Sequence, residues 1–139
     1  MTRETYPRYC LQCDDGTLLV HGMQDVSGEI SGEPYAVKNV IGWHCPVCGD
    51  IEFDSGNDSA TRLSAAMDQA LQRVKEHNAQ TLRAARKKLK LSQAEAGKLF
   101  GGGASAFSEY ERGKTQPHKS TVLLLRLLGK HPELLGELR

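Results

Sequence analysis

Leu91 to Pro117, LSQAEAGKLFGGGASAFSEYERGKTQP, decides how this chain is read. Ser92 precedes an apolar-periodic run and Glu95 follows it three residues later, a reciprocal cap that starts a helix. Gly101, Gly102 and Gly103 stop it. A second helix, Ala104 to Arg112, buries Phe107 and Tyr110 while Ser105, Ser108 and Glu109 point outward, and a loop with basic residues follows. Helix, glycine turn and helix in this order form a DNA-reading unit that lays its second helix in the major groove. A generic helical hairpin is the simpler alternative. The order of so many punctuating residues favours the DNA reading.

The stretch resembles the Cro/phage-repressor (XRE-type) helix-turn-helix family, whose pattern opens on Leu-[Ser/Thr]-Gln and closes on a helix ending Ser-x-[Trp/Tyr]-Glu-x-Gly before a Pro. Leu91-Ser92-Gln93 and Ser108-Glu109-Tyr110-Glu111-Arg112-Gly113 with Pro117 carry the match. On this reading Gln93, Lys114 and Lys119 hold phosphates of double-stranded operator DNA, and Ala104, Ser105 and Glu109 face base edges.

Charge divides the 139-residue chain. Met1 to Asp58 carries three basic residues against ten acidic ones, a net of −7. Ser59 to Gln80 has a net of +1, and Thr81 to Arg139, with twelve basic against five acidic, a net of +7. The overall charge of +1 hides this split. A polyanion suits the C-terminal half and a basic protein the N-terminal half, although two solvated surfaces would show the same asymmetry. No run of about 18 apolar residues exists, which predicts no membrane span. MTRETYPRY lacks the apolar stretch of a signal peptide, so a cytoplasmic address is expected. In that reducing compartment four cysteines read as metal ligands rather than disulfides.

Cys10, Cys13, Cys45 and Cys48 form two C-x-x-C pairs 31 residues apart. Two such pairs make a tetrahedral four-thiolate site, expected to hold one structural Zn²⁺ per chain. Each pair sits in a tight knuckle, the first before Asp14-Asp15-Gly16 and the second before Gly49, where glycine takes positive φ and turns backbone amides toward sulfur. Iron in a rubredoxin-like site is chemically possible at the same spacing. Four thiolates fill the coordination shell, which argues against metal-assisted hydrolysis. His44 beside Cys45, like His21, His77, His118 and His131, has no metal-ligand spacing and reads as an ordinary residue. Thr17 to His21 and Tyr35 to Ile41 have strand composition, with Ser27 to Pro34 as the turn between them, and Ile51 to Phe53 adds a short third strand. So small a core needs a staple, and zinc supplies it.

No catalytic residue emerges. The serines lack a paired base, and the triple glycine does not follow a strand, so it is a turn and not a nucleotide cradle. After the loop Asp54 to Ser59, a helix is expected to run to about Asn78, with Leu63, Met67, Ala70, Leu71 and Val74 as an apolar stripe that either packs on the sheet or pairs between protomers, the first favoured because the sheet needs a cover. His77 to Gln80 reads as the junction, giving domains 1–78 and 79–139. Leu82, Ala85 and Leu89 then mark a further helix with exposed Arg86, Lys87, Lys88 and Lys90. Ser120 caps a helix closed by Gly129, and Pro132 opens a last short one. The predicted fold is therefore α+β, a small zinc-bound sheet followed by a five-helix XRE-type domain. Leu123 and Leu127 add a second apolar stripe that this domain does not need for its own core, which suggests a homodimer. A dimer would place two recognition helices about 34 Å apart on one duplex face.

Two zinc knuckles fused through a helix to an XRE-type domain resemble the MqsA (YgiT-type) antitoxin family, and Phe100 to Leu135, FGGGASAFSEYERGKTQPHKSTVLLLRLLGKHPELL, is similar to that family nearly throughout. The resemblance covers essentially the whole chain. It implies the antitoxin of a type II toxin–antitoxin pair, whose N-terminal domain neutralises an MqsR-type ribonuclease toxin, whose zinc is structural, and whose dimeric C-terminal domain represses the operon. Ser105 and Glu109 stand where the family's best-known pattern has Asn and Arg. Arg reads guanine with a bidentate fork, whereas Glu only accepts, for instance from cytosine N4, so the operator sequence stays open while groove docking does not. The competing reading is a stand-alone zinc- or redox-responsive transcriptional repressor with no protein partner, and a third is an RNA-binding ribbon protein, which would prefer single strands.

Overall fold

The computed structural model describes residues 6–139; positions 1–5, the start of the expected first domain, with the charges of Arg3 and Glu4, lie outside the described residues. The chain divides into two compact units, the first ending at Ala70 and the second running from Leu71 to Arg139.

The first unit is a three-stranded antiparallel sheet in the order β1-β2-β3, with β1 at Val20–Ile30, β2 at Glu33–His44 and β3 at Ile51–Phe53. The β1–β2 hairpin is much longer than strand composition alone predicts, because the turn is only Ser31-Gly32. Both residues have positive φ, 49° and 88°, as a two-residue turn matching the strand twist requires. Gly28 and Pro34, read in sequence as turn residues, lie inside strands. Gly28 faces Tyr35, and a Cβ there would come within 2.5 Å of the Tyr35 hydroxyl. Pro34 sits where β2 extends beyond the short β3, a place in a sheet that tolerates a missing N–H.

Register shifts midway along the hairpin. Gln24 faces Val40 and Val26 faces Val37, so Asp25 stands opposite both Lys38 and Asn39. Asn39 takes φ 57°, a conformation its residue type tolerates, and its N–H donates to Asp25 Oδ1 at 3.0 Å. The carbonyls this bulge turns out are met by Arg62, whose guanidinium donates to Lys38 O at 2.6 Å and Asn39 O at 2.8 Å. The Ile41 N–H donates at 2.9 Å to the hydroxyl of fully buried Ser59. Polar bonds thus tie the start of the following helix to β2. Of the apolar stripe expected to cover the sheet, Ala70 and Val74 are buried, Leu63 is half-buried, and Met67 and Leu71 are exposed.

That helix, α1, spans Ser59–Lys88 without interruption. The break expected at His77 to Gln80 does not occur. No Gly or Pro lies between Ser59 and Lys88, so nothing in the backbone chemistry stops the helix. In the second unit α2 (Gln93–Phe100), α3 (Ala106–Glu111), α4 (Lys119–Lys130) and a 3₁₀ helix (Pro132–Leu138) follow. The capping box is present: the Glu95 N–H donates to Ser92 Oγ at 3.1 Å, and the Ser92 N–H to Glu95 Oε2 at 3.4 Å. Two caps differ from expectation. His118, not Ser120, precedes α4 and its carbonyl accepts from Thr121 and Val122, because its extended backbone aims that oxygen along the helix. Gly129 lies within α4, where the closeness of Ala85, 3.6 Å from where its Cβ would be, favours a small residue.

Phe107 and Leu125, fully buried, centre a core with Leu82, Ala85, Leu89, Leu91, Ala96, Val122 and Leu128. Phe107 meets Tyr110 edge to face, with ring centroids 5.5 Å apart. Two features fix how α2 and α3 meet. The first is Gly97: a Cβ there would lie 1.9 Å from the Gly103 carbonyl oxygen, so only glycine lets α2 approach the turn. The second is a buried ion pair that departs from the expected exposed Arg86. The Arg86 and Glu111 side chains are 13% and 5% exposed, Arg86 Nη2 donates to Glu111 Oε1 at 2.8 Å, and Arg86 Nη1 donates to Leu91 O at 2.9 Å. Arg86 is taken from the solvated face because the carbonyl ending the α1–α2 turn and the Glu111 carboxylate need a shared donor fork.

Gly97→Ala forces a methyl into the Gly103 carbonyl and is expected to cost the second unit about 1–3 kcal/mol or more, read as a lower thermal midpoint with the metal content unchanged. Glu111→Ala strands the Arg86 charge and is expected to cost about 3–5 kcal/mol in a denaturant titration, while the double change Arg86→Met with Glu111→Leu recovers most of it.

Candidate metal centre and nucleic-acid surface

The two knuckles are built alike. In the first, the Cys10 N–H donates to Thr17 O at 2.8 Å and the Asp14 N–H to Cys10 O at 3.1 Å; in the second, the Cys45 N–H donates to Asp50 O at 2.8 Å and the Gly49 N–H to Cys45 O at 3.2 Å. Asp14 and Gly49 occupy the same place in each turn and both have positive φ, 47° and 79°. The sequence placed that role on glycine. Asp14, with a short polar side chain, fills it in the first knuckle.

These turns aim amides at sulfur. The Val47 and Cys48 N–H groups each lie 3.4 Å from Cys45 Sγ, and the Cys13 N–H lies 3.5 Å from Cys10 Sγ. The Cys48 amide, with that of Val47, holds the Cys45 thiol down to about 6 against the opposing effect of burial. Cys13 is pushed the other way: the neighbouring Cys48 sulfur first, then burial, drive its thiol up to about 12. All four sulfurs lie within 4.8 Å of one another, with Cys10 and Cys48 at 3.4 Å and Cys13 and Cys45 at 3.8 Å. Tetrahedral thiolate coordination at about 2.3 Å sets sulfurs about 3.8 Å apart, so the donor set fits a metal of that size. The cysteines are all free of disulfides. Sulfurs this close cannot all ionise without a cation among them. Buried Leu19 and half-buried Trp43 pack against the cluster.

His44 is not a ligand. Its ring nitrogen Nε2 lies 3.0 Å from Val40 O, and the side chain is buried, as the ordinary reading of this residue expects. His21 is also engaged away from the sulfurs, with Nε2 2.5 Å from Asp54 Oδ2 and its ring edge-on to Trp43.

On the second unit, Ala104 and Ser105 are exposed in the turn just before α3, which begins two residues later than predicted because the Ala106 N–H is the first to fold back, onto Gly103 O at 3.2 Å. Glu109 is half-buried, and its carboxylate accepts from the Thr115 hydroxyl at 3.0 Å. Lys114 is exposed in the loop after α3, and Lys119 is exposed at the first position of α4. Gln93, half-buried at the first position of α2, donates through Nε2 to Glu111 Oε2 at 2.7 Å. Sequence reasoning missed Arg62, Arg86 and Glu111. Their partners lie 23, 24 or 25 residues away, and no local periodicity reports such pairings.

No helix of the described residues is long and apolar enough to cross a membrane. Residues 8–139 match the family model described as the antitoxin component of a bacterial toxin–antitoxin system, MqsA. The antitoxin MqsA of Escherichia coli K12 is 37% identical over 130 residues, which cover 94% of this chain and 98% of that protein. An acidic sheet with four gathered thiols, followed by a run of helices around one core, lies within the matched span, and the chain belongs to the MqsA family of antitoxins, regulatory proteins and not enzymes.

Proposed function

We propose that this antitoxin works as one half of a type II pair: residues 1–78 bind and neutralise an MqsR-type ribonuclease toxin, and residues 79–139 bind double-stranded operator DNA as a homodimer and repress the operon. Zinc, one ion per chain, is the proposed occupant of the Cys10, Cys13, Cys45 and Cys48 site, and the proposed setting is the cytoplasm. The observation that carries the reading is the pairing of charge with architecture. The net −7 of the first 58 residues falls on the sheet with the thiol cluster, and the net +7 from Thr81 onward falls on the helices. An acidic surface speeds encounter with a protein built to hold RNA, and a basic one suits a phosphate backbone.

The metal is structural on this reading. Four thiolates satisfy a tetrahedral ion completely, and the chemistry it supplies is neutralisation of their charge and closure of the two knuckles. On the DNA side, Gln93, Lys114 and Lys119 are the proposed phosphate contacts, and Ala104, Ser105 and Glu109 the proposed readers. The Thr115 bond to Glu109 supports reading by fixing its carboxylate, which can then accept from cytosine N4. Leu123 and Leu127, 47% and 48% exposed on α4, supply the apolar surface for dimerisation.

Co-expression with the adjacent reading frame, followed by pull-down and an operator shift assay, tests the whole reading; a chain that captures no small basic partner and protects no cells overturns it. Cys45→Ser should lose its one zinc per chain, measured by atomic absorption, and with it toxin binding, while still shifting operator DNA. Lys114→Ala should weaken all duplexes alike and lower the slope of log affinity against log salt by about one. Glu109→Arg should change which operator is preferred in a binding-site selection, and uniform tightening on every duplex would show Glu109 to be a neighbour of the backbone.

A further inference from the structure

We propose that the toxin docks by adding a strand to the outer edge of β1, an inference that rests on the toxin-binding reading above and names the surface that performs it. The hairpin has two flanks, and they are finished differently. Along β2, the Lys38 and Asn39 carbonyls are capped by Arg62, the Ile41 N–H by Ser59, and Gly42 to His44 pair with β3. That flank is closed from Lys38 to His44. Along β1 the only cover among the described residues comes at its approach, where Tyr9 bridges Leu18 and the Leu19 N–H donates to Arg8 O at 2.8 Å. From Val20 to Ile30 no strand among the described residues pairs with this edge.

Which amides face outward follows from alternation. Leu19 points its N–H away from β2, so His21 and Met23, two and four residues on, point theirs the same way, while Val20, Gly22 and Gln24 face His44, Gly42 and Val40 across the ladder. Proteins ordinarily blunt an edge of this length with lysine, proline or a covering element. VHGMQDVSGEI contains neither lysine nor proline. Its two charges, Asp25 and Glu29, are acidic and exposed, and Val20 and Met23 are 54% and 60% exposed on opposite faces of the strand. A bare backbone edge with apolar residues on both faces and acidic charges farther along fits an extended, basic strand of the partner. Main-chain bonds give such a complex affinity, and side-chain pockets give it register. The charge complement steers the encounter.

The experiment uses the full-length chain and the toxin encoded by the adjacent reading frame. Proline at an edge position whose N–H faces solvent leaves the β1–β2 ladder intact and removes one docking donor, so Met23→Pro should bind the toxin about 100-fold or more weakly at unchanged melting temperature and metal content, while Met23→Ala loses less than about tenfold. Met23→Pro that keeps its melting temperature and metal and binds as tightly as the parent overturns the proposal. Amide exchange on the unmodified complex decides the matter even where the proline variant fails to fold: slowed exchange at His21 and Met23 supports strand addition, and a formed complex with unchanged exchange there overturns it. A parent chain that binds no toxin at all overturns the neutralisation reading itself and this inference with it.

Discussion

Four sulfur atoms within 4.8 Å of one another set the terms for the first unit. The apolar core beneath them is small: Leu19 is the one buried carbon side chain in their cluster, and Val37 and Val40 are the buried apolar side chains of the hairpin. A core of that size does not hold a domain by itself. The knuckles hold the chain at two points, just before β1 and at the end of β2, and so fix which residues face each other at the open end of the hairpin. Val20 opposite His44 is the first pair of the ladder, and His44 adjoins Cys45. Register at the far end is held independently by the Ser31-Gly32 turn, and the bulge at Asp25 absorbs the odd residue between the two anchors. Arg62 and Ser59 then close the carbonyls and the amide that the bulge leaves on the outer side.

In the second unit, close backbone approach does what the metal site does in the first. Gly97 lets the Gly103 carbonyl sit where a methyl would be, and three successive residues of positive φ, Gly101 to Gly103, turn the chain within that gap. Once α2 and α3 are set at this distance, Phe107 fills the space between them, and the Arg86 fork reaches both Leu91 O and the Glu111 carboxylate. Glu111 in turn bonds the Gln93 amide, so a residue proposed to hold phosphate has its side chain oriented from the interior. A buried ion pair contributes little net stability against apolar replacements of the same volume, and its use here is positional.

What the sequence disclosed and what it hid follow from the range of each interaction. The capping box of Ser92 and Glu95, the glycine turn and the two C-x-x-C knuckles are contacts within a few residues, and composition and spacing report them directly. The α+β class and the order of five helical segments in the C-terminal half follow from those. Gly28 and Pro34 misled because their turn propensity is real, yet Ser31-Gly32 forms a tighter turn whose twist suits a hairpin, and the tertiary gain of a longer ladder outweighs local preference. The helix break expected at His77 to Gln80 is absent because the residues there are all permissible in a helix. Arg86, one of a run of basic residues, carried no mark to distinguish it from its exposed neighbours Lys87 and Lys88, since its partner Glu111 lies 25 residues on.

The division of charge bears on how the proposed tasks coexist in one chain. At physiological salt a charge is felt over about 8 Å, so the charge of each unit acts chiefly on what comes into contact with it. Screening also limits what charge can do. It raises the rate of encounter, but holding a ribonuclease needs directional bonds that salt does not screen, and the backbone groups on the bare flank of β1 are of that kind. The asymmetry of the hairpin is then physically consistent. An edge closed by a guanidinium and a serine hydroxyl cannot pair with a second chain, an edge left open can, and a hairpin that closes β2 from Lys38 to His44 while β1 meets no strand on its outer flank among the described residues carries an aggregation hazard that a bound partner removes.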